Sequence, residues 1–162
     1  MKKFTKLEID GARKYFRSQS MPEVEVTLGN RNFSYFILPQ SLEPNLPNFL
    51  YRYTGELPDG YVFGISDSVN EVLRPYAVAH EFIEFTEIGI HTKNRCAAAL
   101  EEELKLVPEN IMPNYLDMRR NFFKNPITYC SNRPESYDDA DLNEFRRSLA
   151  KLEESIKSKL QS

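Results

Sequence analysis

The sequence predicts an α+β fold: a small antiparallel sheet of about four strands packed with four to five helices. Two observations predict it. Short alternating or continuously apolar runs, bounded by turn signals, all fall between residues 23 and 66. Helical periodicity fills the stretches before and after them, so strands and helices are grouped rather than interleaved. With 162 residues, 41% of them hydrophobic, the chain can bury one sizeable core, and a single domain over 1–162 is expected.

The elements follow in order. In "FTKLEIDGARKYFRSQ", Phe4, Leu7, Ala12, Tyr15 and Phe16 recur at roughly helical spacing, which predicts a first helix weakened by Gly11. After Pro22, "EVEVTLG" alternates strictly, and "NRNFSYFIL" resumes beyond Gly29-Asn30, a turn-forming pair, so the two runs predict a hairpin. Pro44 and Pro47 punctuate a loop. "FLYRYTG" is a third strand, "ELPDG" a turn and "YVFGIS" a fourth strand.

Ser68, with Glu71 three residues on, forms a capping box ahead of an apolar run and predicts a helix from about residue 69. Gly89 is its expected stop, because glycine accepts the left-handed conformation at a helix end. Thr92 is the expected cap of a second helix, about 93 to 106, ended by Val107-Pro108. "NYLDMRRNFFK" predicts a third, "NPITYCSNRPES" a loop, and "DADLNEFRRSLAKLEESIKSKL" a long last helix striped by Leu142, Phe145, Leu149, Leu152, Ile156 and Leu160.

Charge and composition exclude several function classes. A formal net charge of −3 supplies no broad positive field for phosphates, so nucleic acid is not an expected partner. The local basic cluster of Lys2, Lys3, Lys6, Arg13, Lys14 and Arg17 is expected to be a solvated helix face. "MKKFTKLEIDG" lacks the apolar core of a signal peptide and no stretch is long enough to span a bilayer, so a soluble, cytoplasmic protein without a membrane partner is expected. Cys96 and Cys130 are expected to be reduced thiols, with Cys96 packed and inert in "NRCAAALEEEL". No glycine-rich phosphate loop and no G-x-S-x-G motif is present.

One stretch carries chemistry: "YAVAHEFIEFTEIGIH", residues 76 to 91, holds both histidines. At about 100° per residue, His80, Glu84 and Glu87 share one helix face. Beside them Val72, Tyr76, Ala79 and Ile83 form one apolar stripe, and Val78, Phe82 and Phe85 form another, so the helix is expected to run through the interior. Buried carboxylates need a charge, a metal or several hydrogen bonds. Imidazole and carboxylate are both zinc ligands, and i, i+4 spacing lets two of them reach one ion. The alternative is that Glu84 and Glu87 pair with Arg74, Lys93 or Arg95.

"YVFGISDSVNEVLRPYAVAHEFIEF" resembles the small zincin metallopeptidases of the ImmA/IrrE type, in which a strand leads through a loop into a helix bearing H-E-x-x-H. "NRCAAALEEELKLVP" is similar to that family's next helix, which is alanine-rich. The resemblance covers residues 61 to 108. It implies a zincin-like fold, a zinc cofactor, His80 as a zinc ligand and Glu81 as the general base that takes a proton from water. The second motif histidine is replaced here by Glu84. The family's third ligand has no aligned match; His91 from the turn, or Glu101 or Glu102 from the next helix, are the candidates. The run Glu101-Glu102-Glu103 is otherwise a wet helix face, with one inward member as the alternative.

Two functions are thus expected in competition. One is a zinc-dependent hydrolase cleaving a peptide bond, with His80, Glu84 and His91 or Glu102 as ligands. The other is a non-catalytic domain on the same scaffold that binds a protein or peptide partner. Its last helix either covers its own core, leaving a monomer, or pairs with a copy of itself as a homodimer.

Overall fold

The computed structural model describes residues 11–54, 61–89, 92–132 and 139–160, except the side chains of residues 54, 130, 139–141 and 160. Among these residues a four-stranded sheet and five α-helices make an α+β fold. Two compact units form, the first within residues 1–44 and 48–78, the second within 45–47 and 79–162.

The first unit holds helix α1 (Ala12–Ser18) and strands β1 (Glu23–Leu28), β2 (Arg31–Leu38), β3 (Leu50–Thr54) and β4 (Tyr61–Ser66). All four strands lie where the alternation and the turn residues put them. Gly29 supplies φ +62° at the hairpin turn, and Leu28 faces Arg31 across a two-residue loop. The predicted residues 4–10 of the first helix and the "ELPDG" turn lie outside the described residues.

The sheet is mixed, not antiparallel as expected. Its order is β1-β2-β4-β3, and β2 runs parallel to β4, with Phe36 opposite Gly64 and Leu38 opposite Ser66. Two antiparallel hairpins, β1-β2 and β3-β4, are joined through their second strands. This makes β4 a central strand. Val62 through Ser66 are all buried, the continuous burial expected of a strand covered on both faces.

Phe16 packs against Phe36 and Tyr53 with ring centroids 5.3 and 5.2 Å away. Gly64 lets the strands close on this core. A Cβ there would sit 2.5 Å from Leu38 Cδ1 and 3.3 Å from Tyr53 Cε2, and both side chains are fully buried. Gly64→Ala is therefore expected to destabilise the protein by about 1–3 kcal/mol through overpacking. Urea denaturation measures it; a loss below about 0.5 kcal/mol would show that Leu38 can turn aside.

The capping box does not form. Ser68 Oγ instead bonds Gln40 Oε1 at 3.0 Å and Asn48 Oδ1 at 2.6 Å, and the helix starts only at Arg74. Asn70 offers the backbone a competing turn by accepting the Val72 N–H at 3.0 Å. Pro75, which lacks an N–H, then falls in the first helical turn, where none is needed. Val72, counted in the sequence as part of an apolar stripe, is exposed before the helix begins.

Helix α2 (Arg74–Phe82) crosses the division, its residues from Ala79 onward belonging to the second unit. Ala77, Val78, Ala79 and His80 are all buried. Four consecutive residues sweep most of a helix circumference, so α2 is interior here, as expected. Over Ile83–Ile88 the chain widens into a π-helix, and Gly89, at φ +90°, ends it. The wider turn carries Glu87 off the His80-Glu84 face and leaves it exposed.

Helix α3 (Arg95–Leu106) ends before Pro108 as expected. Thr92 does not cap it, since its hydroxyl donates to the Ile88 carbonyl at 2.9 Å. Instead the Cys96 N–H donates to the Glu144 carboxylate at 3.1 Å, which places a negative charge at the positive end of α3.

Helix α4 (Met112–Ser131) runs through Pro126 where a loop was expected. Phe123 and Tyr129, on either side of the proline, are both buried, and that burial outweighs the lost backbone hydrogen bond. Helix α5 (Asp139–Leu160) packs along α4 and α3. No helix among the described residues is long and apolar enough to cross a membrane.

Candidate metal centre

His80 is the hub of a buried polar cluster within the second unit. Its ring is 2% exposed, and both nitrogens meet acids. Nε2 lies 3.1 Å from Glu84 Oε2, one turn on, and 3.4 Å from Cys96 Sγ, which α3 supplies. Nδ1 lies 2.7 Å from Glu103 Oε2; a carboxylate only accepts, so Nδ1 carries the proton.

Each acid has a cationic partner. Arg95 Nε donates to Glu84 Oε1 at 2.8 Å. Glu103, which has no exposed surface, accepts from Tyr115 Oη and, at 3.2 Å, from Arg119 Nη2. Arg119 Nε is also 2.8 Å from Glu103 Oε1 but not aligned for a hydrogen bond, and Nη1 has no hydrogen-bond partner among the described residues. The pairing is therefore a close charge contact with one good hydrogen bond, not a two-pronged one.

Burial works against a charged imidazole, but Cys96 and Glu103 beside the ring hold the His80 pKa well above the ordinary histidine range. Burial likewise would raise Glu84, and His80 and Arg95 together hold it below the usual carboxylate range. The ring thus sits between the carboxylates of Glu84 and Glu103.

The donor set fits a metal ion. One ligand atom from each of His80, Glu84 and Cys96 lies within 4.8 Å of the others, and all three residues are buried. Tetrahedral zinc at ordinary bond lengths would separate nitrogen from oxygen by about 3.3 Å and nitrogen from sulfur by about 3.5 Å. The observed separations from Nε2, 3.1 and 3.4 Å, are close to both. Imidazole with a thiolate selects zinc over magnesium or calcium, which prefer oxygen.

The sequence candidates separate as follows. His80 and Glu84 come together, and Arg95 is the partner of Glu84 among those considered. Glu81 is half-buried on the same helix, next to the hub. His91 lies outside the described residues. Glu102 bonds Lys105 Nζ at 2.7 Å, and Glu101 pairs with Lys151, so these two form the wet face. Cys96 is packed in the core of its helix as expected, and its sulfur also touches His80 Nε2; Glu103 is the inward member of its run.

A signal for both was present. Cys96, Ala99, Leu100, Glu103 and Val107 follow one helical stripe, all buried, so Glu103 occupies a core position in the register while Glu101 and Glu102 do not. Arg119 does the same between Leu116 and Phe123. The chain matches no protein-family model, and no curated protein and no solved structure matches it.

Proposed function

We propose that the protein holds a zinc ion at His80, Glu84 and Cys96 and hydrolyses a peptide bond in a protein substrate, as a zincin-type enzyme with altered second and third ligands. The observation that carries the proposal is a buried imidazole nitrogen, carboxylate oxygen and sulfur within 4.8 Å of one another, with Nε2 at zinc-like separations from the other two. When bound, the ion supplies Lewis acidity to a substrate carbonyl. In this reading Glu81, beside His80 in sequence, takes a proton from the attacking water and passes it to the leaving amine. Arg95 donates to Glu84 Oε1 and leaves Oε2, which faces His80, as the oxygen to ligate.

A second reading is favoured by the charge balance. Glu84 already has His80 and Arg95, Glu103 already has His80 and Arg119, and His80, Glu84 and Cys96 are no more than 6% exposed. In that case the cluster is an ionic core, and the protein works by binding a partner protein without catalysis.

Elemental analysis of protein purified without chelator separates the two. One zinc per chain is expected, lost in His80→Ala. Cobalt in its place should show a sulfur-to-metal charge-transfer absorption that vanishes in Cys96→Ser. Glu81→Gln should keep the metal and lower proteolysis by roughly 10²–10⁴-fold, because it removes the base and leaves the ligands. Metal absent from wild type and His80→Ala alike, with folding intact, supports the non-catalytic domain.

A further inference from the structure

Glu103 is an expensive residue to place where it is. It is fully buried, and an ionised carboxylate there must be compensated from several directions. Three donors from two helices converge on it: His80 Nδ1 from α2, and Tyr115 Oη and Arg119 from α4. Arg119 is itself fixed. It has no exposed surface, and its guanidinium carbon lies 4.6 Å from the ring centroids of both Phe122 and Phe123. The Phe123 ring also meets His80 edge-on, with centroids 6.2 Å apart.

This arrangement dictates the orientation of one imidazole. Turning the His80 ring over would exchange Nδ1 for a carbon and set a C–H against the Glu103 carboxylate, sacrificing a buried charge-assisted hydrogen bond. It would also withdraw Nε2 from Glu84 and Cys96.

We infer that Glu103, clamped by Arg119 and Tyr115, is the positioning residue of the metal centre, holding His80 with Nδ1 protonated and Nε2 presented to the ion. The inference rests on the metal-binding proposal above and assigns Glu103 no contact with ion or substrate. A carboxylate behind a ligating histidine fixes its tautomer and raises its basicity, and such partners matter nearly as much as the ligands themselves.

The test is zinc affinity of the full chain, by competition with a chromophoric chelator at fixed pH. Wild type, Glu103→Gln, Tyr115→Phe and His80→Ala are compared, each checked for its fold by circular dichroism. Glu103→Gln is expected to bind about 10–100-fold more weakly while still reaching one zinc per chain at saturation; Tyr115→Phe should lose roughly tenfold. In zinc-loaded wild type, long-range proton–nitrogen NMR should place the only ring proton of His80 on Nδ1.

Equal affinity in wild type and a folded Glu103→Gln overturns the role of Glu103 and leaves the metal centre standing. Wild type that binds no zinc overturns the metal centre and this inference with it. Should Glu103→Gln fail to fold, Tyr115→Phe decides: wild-type affinity there overturns the inference, and weaker binding supports it.

Discussion

Arg119→Met is expected to destabilise the protein by about 3–5 kcal/mol, the loss typical when one partner of a buried ion pair is removed. Methionine keeps most of the arginine's length, so the loss reports charge and not a cavity. Glu103 would retain the His80 and Tyr115 contacts but face a fully buried environment without its guanidinium. With an m-value of about 2 kcal/mol/M, the urea midpoint should fall by roughly 2 M. The companion Glu103→Leu/Arg119→Met should be less destabilised than the sum of its single changes, because replacing both charges removes the stranded one. A loss below about 1 kcal/mol for Arg119→Met would mean that His80 and Tyr115 suffice for Glu103, and that Arg119 is held in place by its two phenylalanines alone.

The parts of the fold legible in the sequence are those whose cause is local. Alternation, Gly29-Asn30 and the continuous apolar run of residues 61–66 each specify a strand within a few residues of themselves, and the strands lie there. The parallel joining of β2 to β4 is different. It pairs residues 28 apart, Phe36 with Gly64, and nothing in either run records which neighbour it will have. The capping box failed because Asn70 and Pro75, both nearby, supply a better local alternative. Pro126 stays inside α4 because Phe123 and Tyr129 are buried around it, a tertiary cause that local propensity does not contain.

In the site the same division holds. The i, i+4 pair of His80 and Glu84 was legible from one helix, whereas Cys96 and Glu103 reach His80 from another, 16 and 23 residues on. What marks them is register. Glu103 and Arg119 are charged residues standing at core positions of amphipathic helices, and each has to find its opposite there.

Leu152→Ala is the second large effect, expected to cost about 2–5 kcal/mol as a buried leucine truncated in a packed interface. The last helix had two expected uses, covering its own core or pairing with a copy. Leu152 has no exposed surface, Leu142 and Ser148 are also buried, and Phe145, Leu149 and Ile156 are half-buried. The stripe thus turns most of its central face onto α3 and α4. Its register is set by the residues on either side: Lys151 reaches Glu101 on α3, and Glu153 accepts from Arg120 Nη2 on α4 at 3.0 Å. Both pairs are partly exposed, so each contributes no more than about 1 kcal/mol, and Glu153→Gln should cost that or less. Leucine burial, not the flanking charges, therefore holds α5 to its unit. Urea denaturation of Leu152→Ala at two protein concentrations checks this. A concentration-independent loss of the expected size fits a leucine spent on its own chain, whereas a small loss with a change in molecular mass would assign that face to a second copy.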